Sequence, residues 1–251
     1  MASERSGAGD PVRTLELLWR LPVEGPRRGP RPALSIDAVV ASATALADAE
    51  GLDAVTMRRV AAALGVAPMT LYTYVPGKAE LLDLMLDAAY AQLPLVDTAG
   101  QPWRRRLIAV AAENRAMLEA HPWAAEISTV RPPLGPGQLA KYEHELAALD
   151  GLGLDDVTMD AALTYLLGFV QAWARAAADA RSLRPAGATD DEQWWAATAP
   201  VLERVFDPAR YPLAARVGSA AGAAHGAAYG PEHAYEFGLA RVLDGLAALI
   251  D

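Results

Sequence analysis

Cysteine is absent from this chain of 251 residues, which excludes disulfide scaffolds, thiolate metal sites and cysteine nucleophiles. Uninterrupted apolar runs of about 18 residues are also missing, so we expect no membrane span. Charged residues interrupt the N-terminal stretch where a secretory signal needs an apolar run. Runs of β-branched and aromatic residues are scarce, whereas alanine and leucine abound, which favours helices. We expect an all-α protein that is soluble, cytoplasmic and not bound to a membrane.

Positive charge is in deficit, because 22 Lys and Arg residues stand against 31 Asp and Glu residues, a net charge of −9. This balance argues against nucleic-acid binding by the whole surface. The deficit is uneven, however. Residues 27–78 carry six basic and four acidic side chains, whereas residues 91–251 carry 13 basic and 20 acidic ones. A mildly basic front on an acidic body is compatible with DNA contact at one end of the molecule.

Three regions follow one another along the chain. Residues 1–34 mix glycine, proline and arginine and predict a flexible arm with a basic stretch at 27–32. The arm carries one short apolar element at 15–19, which we expect to be a helical turn that packs on another part of the protein. The basic stretch is either a solvated linker or an arm that lies along DNA phosphates or in the minor groove. Residues 35–80 predict an N-terminal three-helix unit, and residues 81–251 predict a C-terminal helical bundle.

The three-helix unit has the pattern of a helix-turn-helix over residues 35–78. Ser35 is a natural N-cap, and apolar residues recur at helical spacing until Gly51. Thr56 caps a short second helix, and a third begins at Pro68, a residue well placed in a first turn. A short last helix behind a longer supporting one can enter a DNA major groove, which is about 12 Å wide.

Two stretches of this unit resemble the DNA-binding domain of the TetR family. Residues 51–66, GLDAVTMRRVAAALGV, resemble its front half, and residues 68–82, PMTLYTYVPGKAELL, resemble its recognition helix and the start of the next helix. Landmarks within 103–152 and the ending 235–246 are similar in order to the ligand domain of the tetracycline-repressor branch. Together the resemblance covers most of residues 35–250.

The resemblance implies a homodimer that binds double-stranded, near-palindromic operator DNA, with recognition helices roughly 34–36 Å apart. At matching positions it implies base-edge contacts from Met57, Arg58, Pro68, Met69 and Tyr72. Contacts to phosphates would come from Thr56, Thr70, Thr73, Tyr74 and Lys78. Arg58 is the best candidate for a bidentate contact to guanine. Tyr72 and Tyr74 are both expected to face the groove.

The resemblance also implies a ligand pocket in the body. A magnesium–tetracycline complex is not expected, because the position of a metal-binding histidine holds Ile127 or Ser128. The long helix predicted after residue 155 likewise has Phe169 and Ala177 instead of the histidine and glutamate that would face the drug. No metal and no cofactor is predicted. An apolar, aromatic pocket suited to a hydrophobic small-molecule inducer is predicted instead. Its candidate residues, each of which could equally fill the bundle core, are Val110, Asn114, Met117, Trp123, Ile127, Arg131, Leu166, Phe169, Val170 and Trp173.

Two helix faces are expected to form the dimer, one within 159–180 that includes Ala162, Tyr165, Phe169 and Trp173, and one within 237–249. The Ala/Gly/Pro-rich segment 207–230 is expected to be a mobile loop. We predict a ligand-responsive transcriptional repressor. The alternatives are an activator or a ligand-independent repressor of the same fold, or an all-α carrier or enzyme whose DNA-binding unit is vestigial. No nucleophile elbow, phosphate loop or dinucleotide fingerprint occurs, so an enzyme is not expected.

Overall fold

The structure is a computed structural model that describes residues 6–21, 34–182, 191–225 and 230–250. The predicted all-α fold is confirmed, since the regular elements in these ranges are helices, with one 3-10 turn at Leu52–Ala54. The helices are α1 (Pro11–Leu18), α2 (Ile36–Glu50), α3 (Met57–Ala63), α4 (Pro68–Tyr72), α5 (Lys78–Tyr90), α6 (Trp103–Ala120), α7 (Pro122–Glu126), α8 (Pro136–Ala147), α9 (Asp156–Ser182), α10 (Asp191–Val205), α11 (Pro212–His225) and α12 (Pro231–Ile250).

Helices α2, α3 and α4 form a small head, whose buried apolar residues belong to the same core as those of the body. The predicted caps are present, because the hydroxyl of Ser35 accepts the backbone N–H of Ala38 at 3.1 Å and that of Thr56 accepts the N–H of Arg59 at 3.2 Å. Gly65, at φ 68°, takes the left-handed conformation that turns the chain from α3 into α4. Leu71 of α4 is fully buried and holds this short helix on the head.

Helix α5 leaves the head and continues into the body, where it packs on α8. Helix α9 is the longest element, with 27 residues, and contacts α6, α7, α8 and α12. Gly137 lets α8 approach α5 closely, because a Cβ atom there would lie 2.1 Å from the carbonyl oxygen of Asp87. None of the described helices combines the length and apolarity that crossing a membrane requires.

The N-terminal region differs from the flexible arm that its composition predicts. Asp10 caps α1 by accepting the N–H groups of Val12 and Arg13 at 2.9 and 3.0 Å, and Leu17 and Leu18 are buried. Helix α1 packs on α5, so the helical turn predicted at 15–19 is present in part, and the helix begins earlier, at Pro11. Most glycine and proline residues of the segment 1–34 lie outside residues 6–21. The basic stretch 27–32 lies outside the described residues.

The prediction of a mobile loop at 207–230 is also wrong for much of that segment, because Pro212–His225 is helix α11. Alanine is the best helix former, and its abundance here outweighs a glycine cost of about 1 kcal/mol each. Proline at the first position of α11 is compatible with a helix start. The described side chains of α10 and α11 are largely exposed.

The packing of α4 on the head predicts a contrast between two of its neighbouring residues. Leu71→Ala is expected to lower the free energy of unfolding by about 2–5 kcal/mol, because it leaves a cavity in the head. Met69→Ala, in the same helix but with 74% of its side chain exposed, is the matched control, and its effect should stay within about 0.5 kcal/mol. Urea denaturation measures both, and equal losses would contradict the described packing.

Candidate DNA-binding surface and ligand cavity

The outer face of α3 and α4 exposes most of the residues predicted to contact DNA. Met69 and Tyr72 have 74% and 43% of their surface accessible. The full set of predicted contact residues that are exposed is Thr56, Arg58, Pro68, Met69, Thr70, Tyr72 and Thr73. The Thr73 hydroxyl donates to the carbonyl oxygen of Thr70 at 2.7 Å, at the C-terminal end of α4.

Three predicted contact residues lie elsewhere. Met57 is buried in the head with Val60 and Ala61, three and four positions later, so its assignment to base edges is corrected. Tyr74 is half-buried against the apolar core, and Lys78 is half-buried at the start of α5. The spacing of an inward helix face explains Met57, because the first residue of α3 begins that face.

Two neighbouring arginines of α3 have different environments. Arg59 forms an ion pair with Glu50 of α2 at 2.6 Å, and the hydrogen bond from Arg59 lowers the pKa of the Glu50 carboxyl. Arg58 is exposed and forms no ion pair with any residue that the structure describes. Its guanidinium group is therefore available for an acceptor outside the chain, such as the O6 and N7 atoms of guanine.

A cavity of about 640 Å³ lies in the body, between α5, α6, α8, α9 and the segment 129–134. Apolar residues that line it include Met117, Leu118, Leu163, Leu167 and Val170. The polar residues that line it, here termed the polar wall, are Asn114, Thr129, Gln138, Lys141, Tyr142, Glu145, Asp160, Thr164 and Gln171. The described residues contain no group of three or more His, Asp or Glu side chains placed to hold a metal ion.

Two residues of the polar wall, Lys141 and Glu145, form a buried ion pair. The Glu145 carboxylate accepts hydrogen bonds from Asn114 Nδ2 at 2.6 Å and from Lys141 Nζ at 2.7 Å, and both charged side chains are almost fully buried. Lys141 Nζ also lies 5.4 Å from the centre of the Tyr90 ring. Burial, with the charges of Glu145 and Asp87, raises the pKa of Tyr90, so its hydroxyl keeps its proton at neutral pH.

Three of the ten residues predicted for the pocket, Asn114, Met117 and Val170, do line the cavity. The others do not. Val110, Trp123, Ile127 and Leu166 fill the core, as the alternative interpretation allowed. Phe169 and Trp173 pack on Tyr235, with ring centres 5.8 and 4.9 Å apart, and Arg131 is exposed beside Gly7.

The sequence analysis missed most residues of the polar wall, although the lining of the cavity is mostly apolar. Its principal residues, Lys141 and Glu145, stand four positions apart on α8. Such spacing is ordinarily a surface ion pair on a helix. The signal that could have found it is the amphipathic pattern of α8, in which this pair falls on the inward side of the helix together with Gly137.

Hydrogen bonds of acidic side chains connect α2 and α5 to other parts of the chain. Asp48 of α2 accepts from the indole Nε1 of Trp123 at 2.7 Å and lies 2.8 Å from Nδ1 of His121, at the junction of α6 and α7. Glu80, Asp83 and Asp87 form what we term the acidic face of α5. Burial raises the pKa of Asp83 and of Asp87, although Asp83 accepts the backbone N–H of Gly7 and Asp87 accepts those of Gly137 and Gln138.

A helix-turn-helix head with an exposed recognition helix, joined to a helical body that encloses a cavity, defines a DNA-binding transcriptional regulator. Residues 39–85 match the family described as bacterial regulatory proteins, tetR family, and residues 96–250 match the tetracyclin repressor-like C-terminal domain. The chain belongs to the TetR family of transcriptional regulators, and the predicted resemblance is confirmed.

Individual relatives agree with this assignment. The chain is 40% identical to the HTH-type transcriptional repressor DrrR1 of Streptomyces coeruleorubidus, over 99% of this chain and 90% of that protein. The structure of ActR from Streptomyces coelicolor in complex with actinorhodin superposes with a TM-score of 0.72 at 26% identity, covering 87% of this chain and 97% of ActR. BioQ, solved with its natural double-stranded DNA operator, superposes with a TM-score of 0.52 at 28% identity, covering 60% of this chain and 90% of the BioQ chain.

The buried pair predicts a strong asymmetry between single and double substitutions. Lys141→Met is expected to lower the free energy of unfolding by about 3–5 kcal/mol, because it leaves the Glu145 carboxylate buried without its cation. The double variant Lys141→Met/Glu145→Met removes both charges and should recover most of that loss. Urea denaturation of the two variants and the parent tests this, and a double variant as unstable as the single one would contradict it.

Proposed function

We propose that the chain is a ligand-responsive transcriptional repressor, which binds a near-palindromic operator as a homodimer and is released when a small molecule occupies the cavity. One observation carries this proposal: the single helix α5 connects the head, with its exposed recognition helix, to a cavity of about 640 Å³. The name of DrrR1 as a repressor and the complex of ActR with actinorhodin support it.

In the proposed complex, α4 enters the major groove and exposes Pro68, Met69 and Tyr72 to base edges. Arg58 contacts guanine from the neighbouring α3, and Thr56, Thr70 and Thr73 contact phosphates. Lys78 and Tyr74, which are half-buried, contact phosphates at the edge of the head. The structure of BioQ with its operator supports DNA binding by this type of head.

The proposed dimer uses exposed apolar side chains of α9 and α12. Tyr165, Phe237 and Leu249 each have 58% of their surface accessible, which is high for large apolar side chains. Ala162 and Trp173, which the sequence also suggested for this face, are buried within the chain. A helix pair from each subunit would form a four-helix interface and place two heads on successive turns of DNA.

The two kinds of cavity wall specify the ligand's chemistry. We propose an amphipathic small molecule whose apolar body packs on Met117, Leu163 and Val170. Its hydrogen-bonding groups would then reach the polar wall around Asn114 and Lys141. The ligand weakens DNA binding only to the extent that it binds the released conformation more tightly than the DNA-bound one.

Selection from random duplex DNA tests this function directly. The parent protein should enrich a near-palindromic sequence, and its affinity should fall as salt rises because phosphate contacts release counterions. Arg58→Ala is expected to weaken binding to the selected duplex by roughly 1–3 kcal/mol, about 5- to 150-fold. The matched control is Arg105→Ala, which removes an exposed arginine from α6 in the body.

Two outcomes would overturn the proposal. One is a failure to enrich any sequence above the random pool, which would favour a carrier or an enzyme with a vestigial head. The other is equal affinity of the Arg58→Ala and Arg105→Ala variants for the selected duplex. A positive result supplies the protein–DNA complex in which small molecules can be screened for release.

A further inference from the structure

We propose that residues 6–21, here termed the N-terminal strut, couple the wall of the ligand cavity to the DNA-binding head. The proposal rests on the proposed function, because it concerns how occupancy of the cavity reaches the head. The strut contacts three parts of the molecule that a signal of this kind must involve. These parts are α5, the cavity-lining segment 128–134 and the first turn of α2.

The first attachment is to the acidic face of α5. The hydroxyl of Ser6 donates to Asp83 Oδ1 at 2.5 Å, and the backbone N–H of Gly7 lies 3.1 Å from both oxygens of the same carboxylate. The N–H of Asp10 donates to Glu80 Oε1 at 3.1 Å. Since Asp83 is 1% exposed, these donors replace water around a buried carboxylate and hold the strut firmly on the helix.

The second attachment is to the segment 128–134, which lines the cavity with Thr129, Val130 and Leu134. At one end of the segment, the backbone N–H of Ser6 donates to the carbonyl oxygen of Ser128 at 3.0 Å. At the other end, the indole Nε1 of Trp19 donates to the carbonyl oxygen of Leu134 at 2.9 Å. A ligand that displaces this segment must therefore move the strut or break one of these bonds.

The third attachment is to the head. Arg20 follows α1 with φ 50°, a left-handed conformation that is uncommon outside glycine. Its guanidinium group donates to Asp37 Oδ1 at 2.6 Å from Nη2 and 3.1 Å from Nε. Asp37 lies in the first turn of α2, the helix that supports the recognition unit. Trp19, which bonds the cavity-lining segment, is therefore followed directly by Arg20, which bonds the head.

The two distal bonds can be cut without removing the fold. Trp19 is 46% exposed, and the side chains of Arg20 and Asp37 are 40% and 78% exposed. Trp19→Phe removes the indole bond to Leu134. Arg20→Met removes the bond to Asp37 together with a bond to the carbonyl oxygen of Leu17, which lies within the strut. The matched control is Arg13→Met, which removes an arginine of α1 whose ion pair, with Glu16 at 2.9 Å, stays within that helix.

Amide hydrogen exchange of the full chain, followed by mass spectrometry without DNA or ligand, tests the coupling. Thermodynamic linkage requires that a substitution that cuts the bond at one end of the strut also increase local opening at the part of the molecule bonded to the other end. Trp19→Phe should speed exchange in the first turns of α2, and Arg20→Met should speed exchange in 128–134, each about two- to fivefold, the range of an exposed ion pair. Arg13→Met should change neither, and amides of α9 should keep parent rates in all variants.

Acceleration confined to the end where each bond was cut, or present in one direction only, would overturn the proposal. Faster exchange in α9 as well would show general destabilisation and would overturn it too. The regulatory part has its own readout, because Trp19→Phe should weaken binding to the selected duplex about two- to fivefold, whereas Arg13→Met should not. Failure of the parent protein to select DNA counts against the proposed function alone, since the exchange experiment requires no DNA.

Discussion

The rest of the structure depends on three carboxylates that lie along one side of α5. Glu80 and Asp83 accept hydrogen bonds from the N-terminal strut, and Asp87 accepts the backbone N–H of Gln138 at 2.8 Å, at the start of α8. Burying these charges is costly, as the raised pKa values of Asp83 and Asp87 indicate, and the donated hydrogen bonds offset that cost. The strut and a wall of the cavity are therefore fixed to the same helix.

Helix α5 is also apolar on its remaining sides, so it is buried between head and body rather than lying on a surface. Leu81, Leu82, Leu84, Met85 and Leu86 are all buried. Asp48, which accepts from Trp123 and lies within hydrogen-bonding distance of His121, adds a second tie between head and body. With α5 held on several sides, the head has a defined orientation relative to the cavity, which is a condition for transmitting occupancy of the cavity to DNA binding.

Local signals predicted the head well, whereas the cavity depends on long-range packing. The caps at Ser35 and Thr56 and the turn at Gly65 act over a few residues, so the sequence reveals them. The cavity arises where α6, α8 and α9 leave space, and no periodicity distinguishes Asn114, which lines it, from Val110 one turn earlier, which fills the core. The apolar spacing at 15–19 predicted a packed helical turn, but the partners of the strut could not be predicted, because Asp83, Leu134 and Asp37 are distant in the sequence.

The absence of cysteine allows the most direct test of the central claim, which is that a firmly held α5 presents two heads at a fixed spacing in a dimer. Met69→Cys places one spin label per chain on the exposed side of α4, and pulsed electron resonance then measures the distance between labels. We predict one narrow distribution on the order of one DNA turn, about 35 Å. No intermolecular distance, or a broad distribution without a peak, would contradict this account.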